Sequence, residues 1–312
     1  MIDSTAGSDL FAATFGPRLG TLRPKLHRYC ARMTGSIIDG EDVLQDALAK
    51  AMLALPATGP IANPDGWLFR IVHNTALDFL RRRARQAEEV GEAEAKMIAE
   101  PFSEIEARQI AVTTLRTFMR LPTRERSSII LMDVLGYSLS EVCAITGMTL
   151  PAVKALLHRG RGRLRDIAAA PEDSPLPDLS AAEKESLTFY VDRFNARDFD
   201  ALRGRLAKDV KAELVGEVVM RGRDKVSTYF GNYAREDQWR LAPGLVEGRP
   251  AALVFVRDAA PALPVYFILL GWEGDSVVAI RDFRYARYAL EAADVRPLDA
   301  AFVADRGTQE PS

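Results

Sequence analysis

The stretch SLSEVCAITGMTLPAVKALLHRGRGRLR, Ser138 to Arg165, decides how the chain is read. Cys143 is a small residue, Gly147 follows it by four positions, and Val153 is an apolar anchor six further on. This is the spacing a helix-turn-helix needs. Gly147 adopts a left-handed turn at little cost, Thr149 is a suitable N-cap, and Pro151 falls in the first helical turn, where proline is tolerated. Leu139, Val142, Ile145, Val153, Leu156 or Leu157, and Leu164 are expected to pack inward. The second helix then presents Lys154, His158, Arg159, Arg161 and Arg165. Docked in a major groove, such a helix meets base edges at its start and phosphates with its basic side chains. On spacing alone, an amphipathic hairpin with a basic outer face fits equally well. His158 reads as a surface or phosphate-contacting residue before a catalyst.

Outward from this stretch the chain falls into segments. Residues 8–86 read as helical, with Leu44, Ala47, Leu48, Ala51, Met52 and Leu55 at helical spacing, and again Leu68, Ile71, Val72, Phe79 and Leu80. Pro56 to Gly66 reads as a loop by composition. Residues 87–102 read as a linker, and residues 103–168 as helical once more. Residues 169–180, with Pro171, Pro175 and Pro177, read as a second linker. A helix over about 181–195 precedes short strands at Val210–Val215, Ala252–Val256, Val265–Leu270 and Val277–Phe283, expected to form antiparallel hairpins. Residues 291–312 form a tail. The fold class is therefore multidomain: an all-α first part, then an α+β part.

Bulk properties narrow the function. The 312 residues suffice for two or three domains. Cys30 and Cys143 stand far apart with no metal-ligand spacing, which argues against a disulfide scaffold or zinc site and fits a reducing compartment. No metal and no cofactor is expected. Met1 to Leu10 lacks a basic segment followed by an apolar run, and Val265–Leu270 is far too short to span a bilayer. A soluble cytoplasmic protein without a membrane partner is expected. The formal net charge of −2 removes overall basicity as an argument for nucleic acid. The positive charge is local: Arg81, Arg82, Arg83 and Arg85 form one cluster, and the basic helix above forms the other.

Three motifs in order resemble the extracytoplasmic-function (ECF) sigma factors, over about residues 8–168. DGEDVLQD, Asp39 to Asp46, is similar to the acidic helix of region 2. The resemblance implies that Asp39, Glu41, Asp42, Gln45 and Asp46 bind core RNA polymerase, chiefly its β′ subunit, with β as a further partner. Carboxylates in early helical turns are also favoured by the helix dipole. WLFRIVHN, Trp67 to Asn74, followed by Asp78 and Arg81-Arg82-Arg83, is similar to the reader of the promoter −10 element. There the resemblance implies roles for Trp67, Arg70, Asn74, Asp78, Arg81 and Arg82. Arg70, Asn74, Asp78 and Arg82 recur every four residues, which puts them on one helical stripe. Leu121 to Arg126, Gly136-Tyr137-Ser138 and the basic helix are similar to region 4. This implies −35 contacts from Thr149, Lys154, His158, Arg159 and Arg161. Ala155 and Leu156 stand where family members often carry Ser and Arg.

Residues 181–290 resemble the SnoaL-like, NTF2-like cone fold, through Phe189 to Leu202 and Arg221 to Val226. Fold relatives include enzymes, binders and scaffolds. All three histidines, His27, His73 and His158, lie outside this segment. Tyr190, Asp192, Trp239, Tyr266, Asp282 and Tyr285 are the polar and aromatic groups on hand, and such aromatics usually build the core. The expectation is a non-catalytic sigma factor with no catalytic residues, directing promoter recognition. Its C-terminal domain is expected to regulate it, with a small ligand kept as an option. A ligand-responsive helix-turn-helix repressor and a cone-fold enzyme tethered to a DNA-binding module are the alternatives.

Overall fold

Helix α1 (Ser4–Thr34) and helix α2 (Ile37–Thr58) meet at a tight corner. Gly35 turns the chain with φ +78°, its N–H donating to the Ala31 carbonyl. Ser36 then caps α2, its hydroxyl accepting from the N–H groups of Ile38 (3.2 Å) and Asp39 (3.1 Å). The computed structural model describes residues 4–88, 115–168, 179–257, 259 and 263–298, in two compact units, Met1–Asp173 and Ser174–Ser312. Residues 89–114 and 169–178, which hold most of both expected linkers and the start of the second helical segment, lie outside the described residues, as does the tail beyond 298.

The loop expected over Pro56–Gly66 is shorter than its composition suggests. Helix α2 continues through Pro56 to Thr58, and helix α3 (Pro64–Glu88) starts at Pro64, leaving Gly59 to Asn63 between them. Pro56 lies in the final turn, and the Thr58 hydroxyl donates to the Ala54 carbonyl (2.8 Å) beyond it. Pro64 occupies the first helical position, where its missing N–H costs nothing. Asn63 Oδ1 accepts from Gly66 N–H (3.0 Å).

A second helical group follows: α4 (Leu115–Met119), α5 (Thr123–Ile129) running into a π-turn (Ile130–Val134), α6 (Leu139–Thr146) and α7 (Leu150–Ala168). It shares one hydrophobic core with α1–α3, joining Phe15, Leu44, Leu68 and Phe69 to Phe118, Ile129, Val142 and Val153. Tyr137 meets Phe69 edge-on, ring centroids 5.0 Å apart. Arg126, buried, donates to the carbonyls of Met33 (2.6 Å), Met119 (2.9 Å) and Leu121 (2.8 Å), tying α5 to the end of α1.

The second unit is α+β. Helices α8 (Ala181–Asn195), α9 (Phe199–Gly204) and α10 (Arg223–Ala234) accompany a seven-stranded sheet of order β2-β1-β6-β5-β4-β3-β7. The strands are β1 (Leu206–Leu214), β2 (Val218–Arg221), β3 (Trp239–Val246), β4 (Arg249–Val256), β5 (Tyr266–Glu273), β6 (Ser276–Asp282) and β7 (Val295–Pro297). The expected antiparallel pairing holds for β4–β5 and β5–β6, and β3 pairs with β4 in the same sense. β1, however, pairs parallel with β6, a pairing allowed by the long connection through α10 and β3–β5. Strand β3 was not expected because Pro243 and Gly244 interrupt it; both are poor strand residues. β4 and β5 bury nearly continuous apolar runs because both sheet faces are covered there: Tyr266 and Ile268 face one core, while Phe267 stacks on Phe283 at 4.2 Å on the other side.

The α1–α2 crossing yields a test. A Cβ on Gly40 would lie 2.6 Å from the Ala31 nitrogen and 2.7 Å from its Cα, backbone atoms that cannot swing away. Gly40→Ala is expected to destabilise the first unit by about 1–3 kcal/mol, read by denaturant titration, despite alanine's better helix propensity.

Candidate functional site

The helix-turn-helix is closed by local hydrogen bonds. Ser138 and Glu141 form a capping box: Ser138 N–H donates to Glu141 Oε2 (2.8 Å), and Glu141 N–H donates to Ser138 Oγ (3.4 Å). The Ser138 hydroxyl, donating to Glu141 Oε2 at 2.6 Å, and then the Ser138 N–H hold the Glu141 carboxyl below its usual range. Gly147 ends α6 at φ +72°, in the left-handed region, with its N–H on the Cys143 carbonyl. Thr149 directly precedes α7, and its carbonyl accepts from Val153 N–H (3.0 Å).

On α7, Val153, Leu156, Leu157, Gly160 and Leu164 are buried, whereas Lys154, His158 and Arg159 are exposed. Arg161 is not an outward cation. Its guanidinium grips the carboxylate of Asp133 on the π-turn, Nε to Oδ2 at 2.8 Å with Nη2 closing a second contact, and the Asp133 side chain is 3% exposed. Arg159 and Arg163 similarly flank the buried Glu125, at 3.3 and 3.6 Å. The expected phosphate contact at Arg161 is therefore corrected: the residue anchors α7 to the π-turn. Charge alone does not tell an inward arginine from an outward one.

Along α3, Arg70, Asn74, Asp78, Arg81 and Arg82 are exposed. Asp78 and Arg81 pair at 3.0 Å, and Arg83 pairs with Asp39 at 3.2 Å. Trp67 is half-buried and stacks on Phe15 at 6.1 Å, so part of its surface serves the core. On α2, Asp42 and Asp46 are exposed and Gln45 is half-buried. Glu41 departs from the expected outward row: it is fully buried, accepts from Arg23 Nη2 at 2.5 Å and receives Gln45 Nε2 at 3.4 Å. A buried carboxylate requires such a partner.

In the second unit, three of the six residues singled out there, Tyr190, Tyr266 and Asp282, converge in the core with Tyr229 and Tyr233, which no sequence signal had marked. Asp282 is fully buried; its Oδ2 accepts from Tyr229 (2.8 Å) and Tyr233 (2.6 Å), and its Oδ1 accepts from Arg284 N–H (2.8 Å). Burial raises its carboxyl, and the bonds from Tyr233 and Tyr229 oppose that rise. Trp239 donates to Glu236 (2.7 Å), while Asp192 and Tyr285 are exposed. Among the described residues no His, Cys, Asp or Glu group is placed to hold a metal ion, and no single helix is long and apolar enough to cross a membrane.

Residues 19–86 match Sigma-70 region 2, and residues 113–164 match Sigma-70, region 4. The ECF RNA polymerase sigma factor SigG of Mycobacterium tuberculosis is 27% identical, over 82% of this chain and 77% of its own. The ECF sigma factor SigM of the same species is 31% identical, over 45% of this chain and 69% of its own. An NTF2-like protein of unknown function from Cytophaga hutchinsonii is similar in structure over 32% of this chain and 96% of its own, at 18% identity and a TM-score of 0.25. The chain belongs to the ECF family of RNA polymerase sigma factors. It binds core RNA polymerase and directs promoter recognition and transcription initiation.

One titration is built into α3. His73 is buried, its Nδ1 2.7 Å from the Tyr29 hydroxyl, and burial, aided by Arg81, lowers its pKa to about 4. A depressed folded-state pKa gives stability that is fully present above the unfolded value near 6.5 and lost as pH falls from there towards 4. The free energy of unfolding should fall across that window by at most about 3 kcal/mol, read by denaturant titration at each pH, and His73→Gln should flatten this part of the profile.

Proposed function

We propose a division of labour within the sigma activity. Residues 8–86 engage the polymerase and the −10 element, residues 103–168 read the −35 element, and residues 181–290 regulate, with 87–102 and 169–180 as linkers and 291–312 as a tail. Asp42 and Asp46, flanked by Asp39 and Gln45, meet basic side chains on the polymerase, on β′ first. Arg70, Asn74 and Arg82 face the −10 DNA, with Trp67, Asp78 and Arg81 beside them. Lys154, His158 and Arg159, with Thr149 at the helix start, face the −35 DNA. The observation that carries this assignment is exposure: each motif keeps a set of polar side chains outside, and in the acidic helix and α7 the inward charges, Glu41 and Arg161, are spent on internal pairs.

The likeness to sigma factors supports work in the cytoplasm on promoter DNA without chemistry by the first unit. In the second unit, the carboxylate of Asp282 is saturated by its tyrosine and backbone donors, which supports regulation over catalysis. A chain ending at Ala170 should then differ severalfold from the full chain in runoff transcription, since a tethered partner acts at an effective concentration on the order of millimolar.

Two substitution sets test the assignment. Asp42→Lys with Asp46→Lys should weaken core polymerase binding while leaving the unfolding midpoint in place, because both side chains are exposed; unchanged affinity at low salt would remove this helix from the polymerase contact. Lys154→Ala should reduce the salt dependence of −35 DNA binding by about one phosphate contact. Arg161→Ala should instead destabilise the fold and leave Asp133 without its guanidinium.

A further inference from the structure

Strand β2 is one edge of the sheet, with β1 on one side and no strand on the other among the described residues. Gly222, just past β2, donates its N–H to the Val210 carbonyl (2.9 Å), and the pairing alternates from there along the strand. Met220 and Val218 therefore bond towards β1, while Val219 and Arg221 direct their N–H and C=O groups out of the sheet. Val218 and Val219 point to opposite faces, yet they are 50% and 49% exposed. An edge with free backbone groups and exposed β-branched side chains is a template for another strand.

The charges on this edge are of opposite sign. Glu217 precedes the strand and Arg221 ends it; both are exposed, and neither has an ion-pair partner among the described residues. Within the sheet Arg221 stands opposite Lys211, a like charge, while Lys211 turns to Glu213 at 3.6 Å. The segment Glu217-Val218-Val219-Met220-Arg221 is complementary to itself read backwards. About a two-fold axis at Val219, each Glu217 faces an Arg221, each Val218 faces a Met220, and the two Val219 residues face each other. In that register the two Val219 residues exchange their outward N–H and C=O groups. Only this register puts opposite charges at both ends.

We propose that β2 pairs antiparallel with β2 of a second copy of this chain, joining two sheets into one. The contact is isologous, the same five residues serving on both sides. Opposite charges and apolar side chains set directly across from each other stabilise such a pairing. So short a contact covers well under the roughly 1,200 Å² of a standard interface, and the dimer is expected to form in the micromolar range or weaker. This surface lies outside the polymerase and DNA contacts assigned above, so its test is independent of them.

Sedimentation of the full-length protein from micromolar to millimolar concentration should show a concentration-dependent dimer. Arg221→Glu or Glu217→Arg sets like charges at both ends of the pairing and should weaken the dimer by about tenfold. The double reversal restores opposite charges and should recover it, which separates a lost contact from a lost fold. Val219→Cys should cross-link to itself under mild oxidation, because directly opposed Cα atoms lie about 5.5 Å apart, within disulfide reach. Val218→Cys, equally exposed but with Met220 of the second copy opposite, should cross-link far less. A protein that stays monomeric at millimolar concentration, a dimer unchanged by either charge reversal, or equal cross-linking from the two cysteine positions overturns the proposal.

Discussion

The first unit depends on one buried guanidinium. Arg126 reaches across 93 residues of sequence to the Met33 carbonyl in the last turn of α1 and also holds the carbonyls of Met119 and Leu121. Carbonyls at helix ends lack partners within their helix and carry the negative end of its dipole. A cation that satisfies three such carbonyls replaces much of the water it lost on burial. It also fixes where α5 sits, and α5 in turn supplies Glu125 to the recognition helix. Removing Arg126 would therefore leave two helix ends unsatisfied and loosen the base of α7.

The carboxylates behind α7 extend this logic. The Glu125 and Asp133 side chains are almost fully buried; Glu125 takes Arg159 and Arg163 from α7, and Asp133 takes Arg161. Breaking such a pair from one side leaves an uncompensated charge in the interior, which is far worse than losing both partners. The recognition helix is thus held in one rotational setting, with Lys154 and His158 outward. Its basic residues do two jobs that look alike in the sequence.

Local signals were legible. Gly147 and the small, turn and anchor spacing gave the helix-turn-helix, whereas the caps at Ser36 and Ser138 went unmarked until the fold was seen. Non-local pairing was not. Glu41 looks like its exposed neighbours until Arg23 of α1 is seen beside it, and Arg161 looks like Lys154 until Asp133 is in place. The β1–β6 parallel pairing leaves no mark in either strand, because a strand's residue pattern records burial and not the direction of its neighbour. Strand β3 was hidden by Pro243 and Gly244, whose low strand propensity is overruled by β4 and β7 on either side. Likewise Tyr229 and Tyr233 read as ordinary core aromatics on α10, and only the fold brings them to Asp282.

The Phe69–Tyr137 contact ties the helix that carries Asn74 to the loop that leads into α6. Burial also pushes the Tyr137 hydroxyl up, with Asp65 and Glu141 adding to the rise. Any movement that separates these helices uncovers two aromatic faces at once, and wetting them has an unfavourable free energy. A surface that receives the separated helices must therefore offer apolar area of its own.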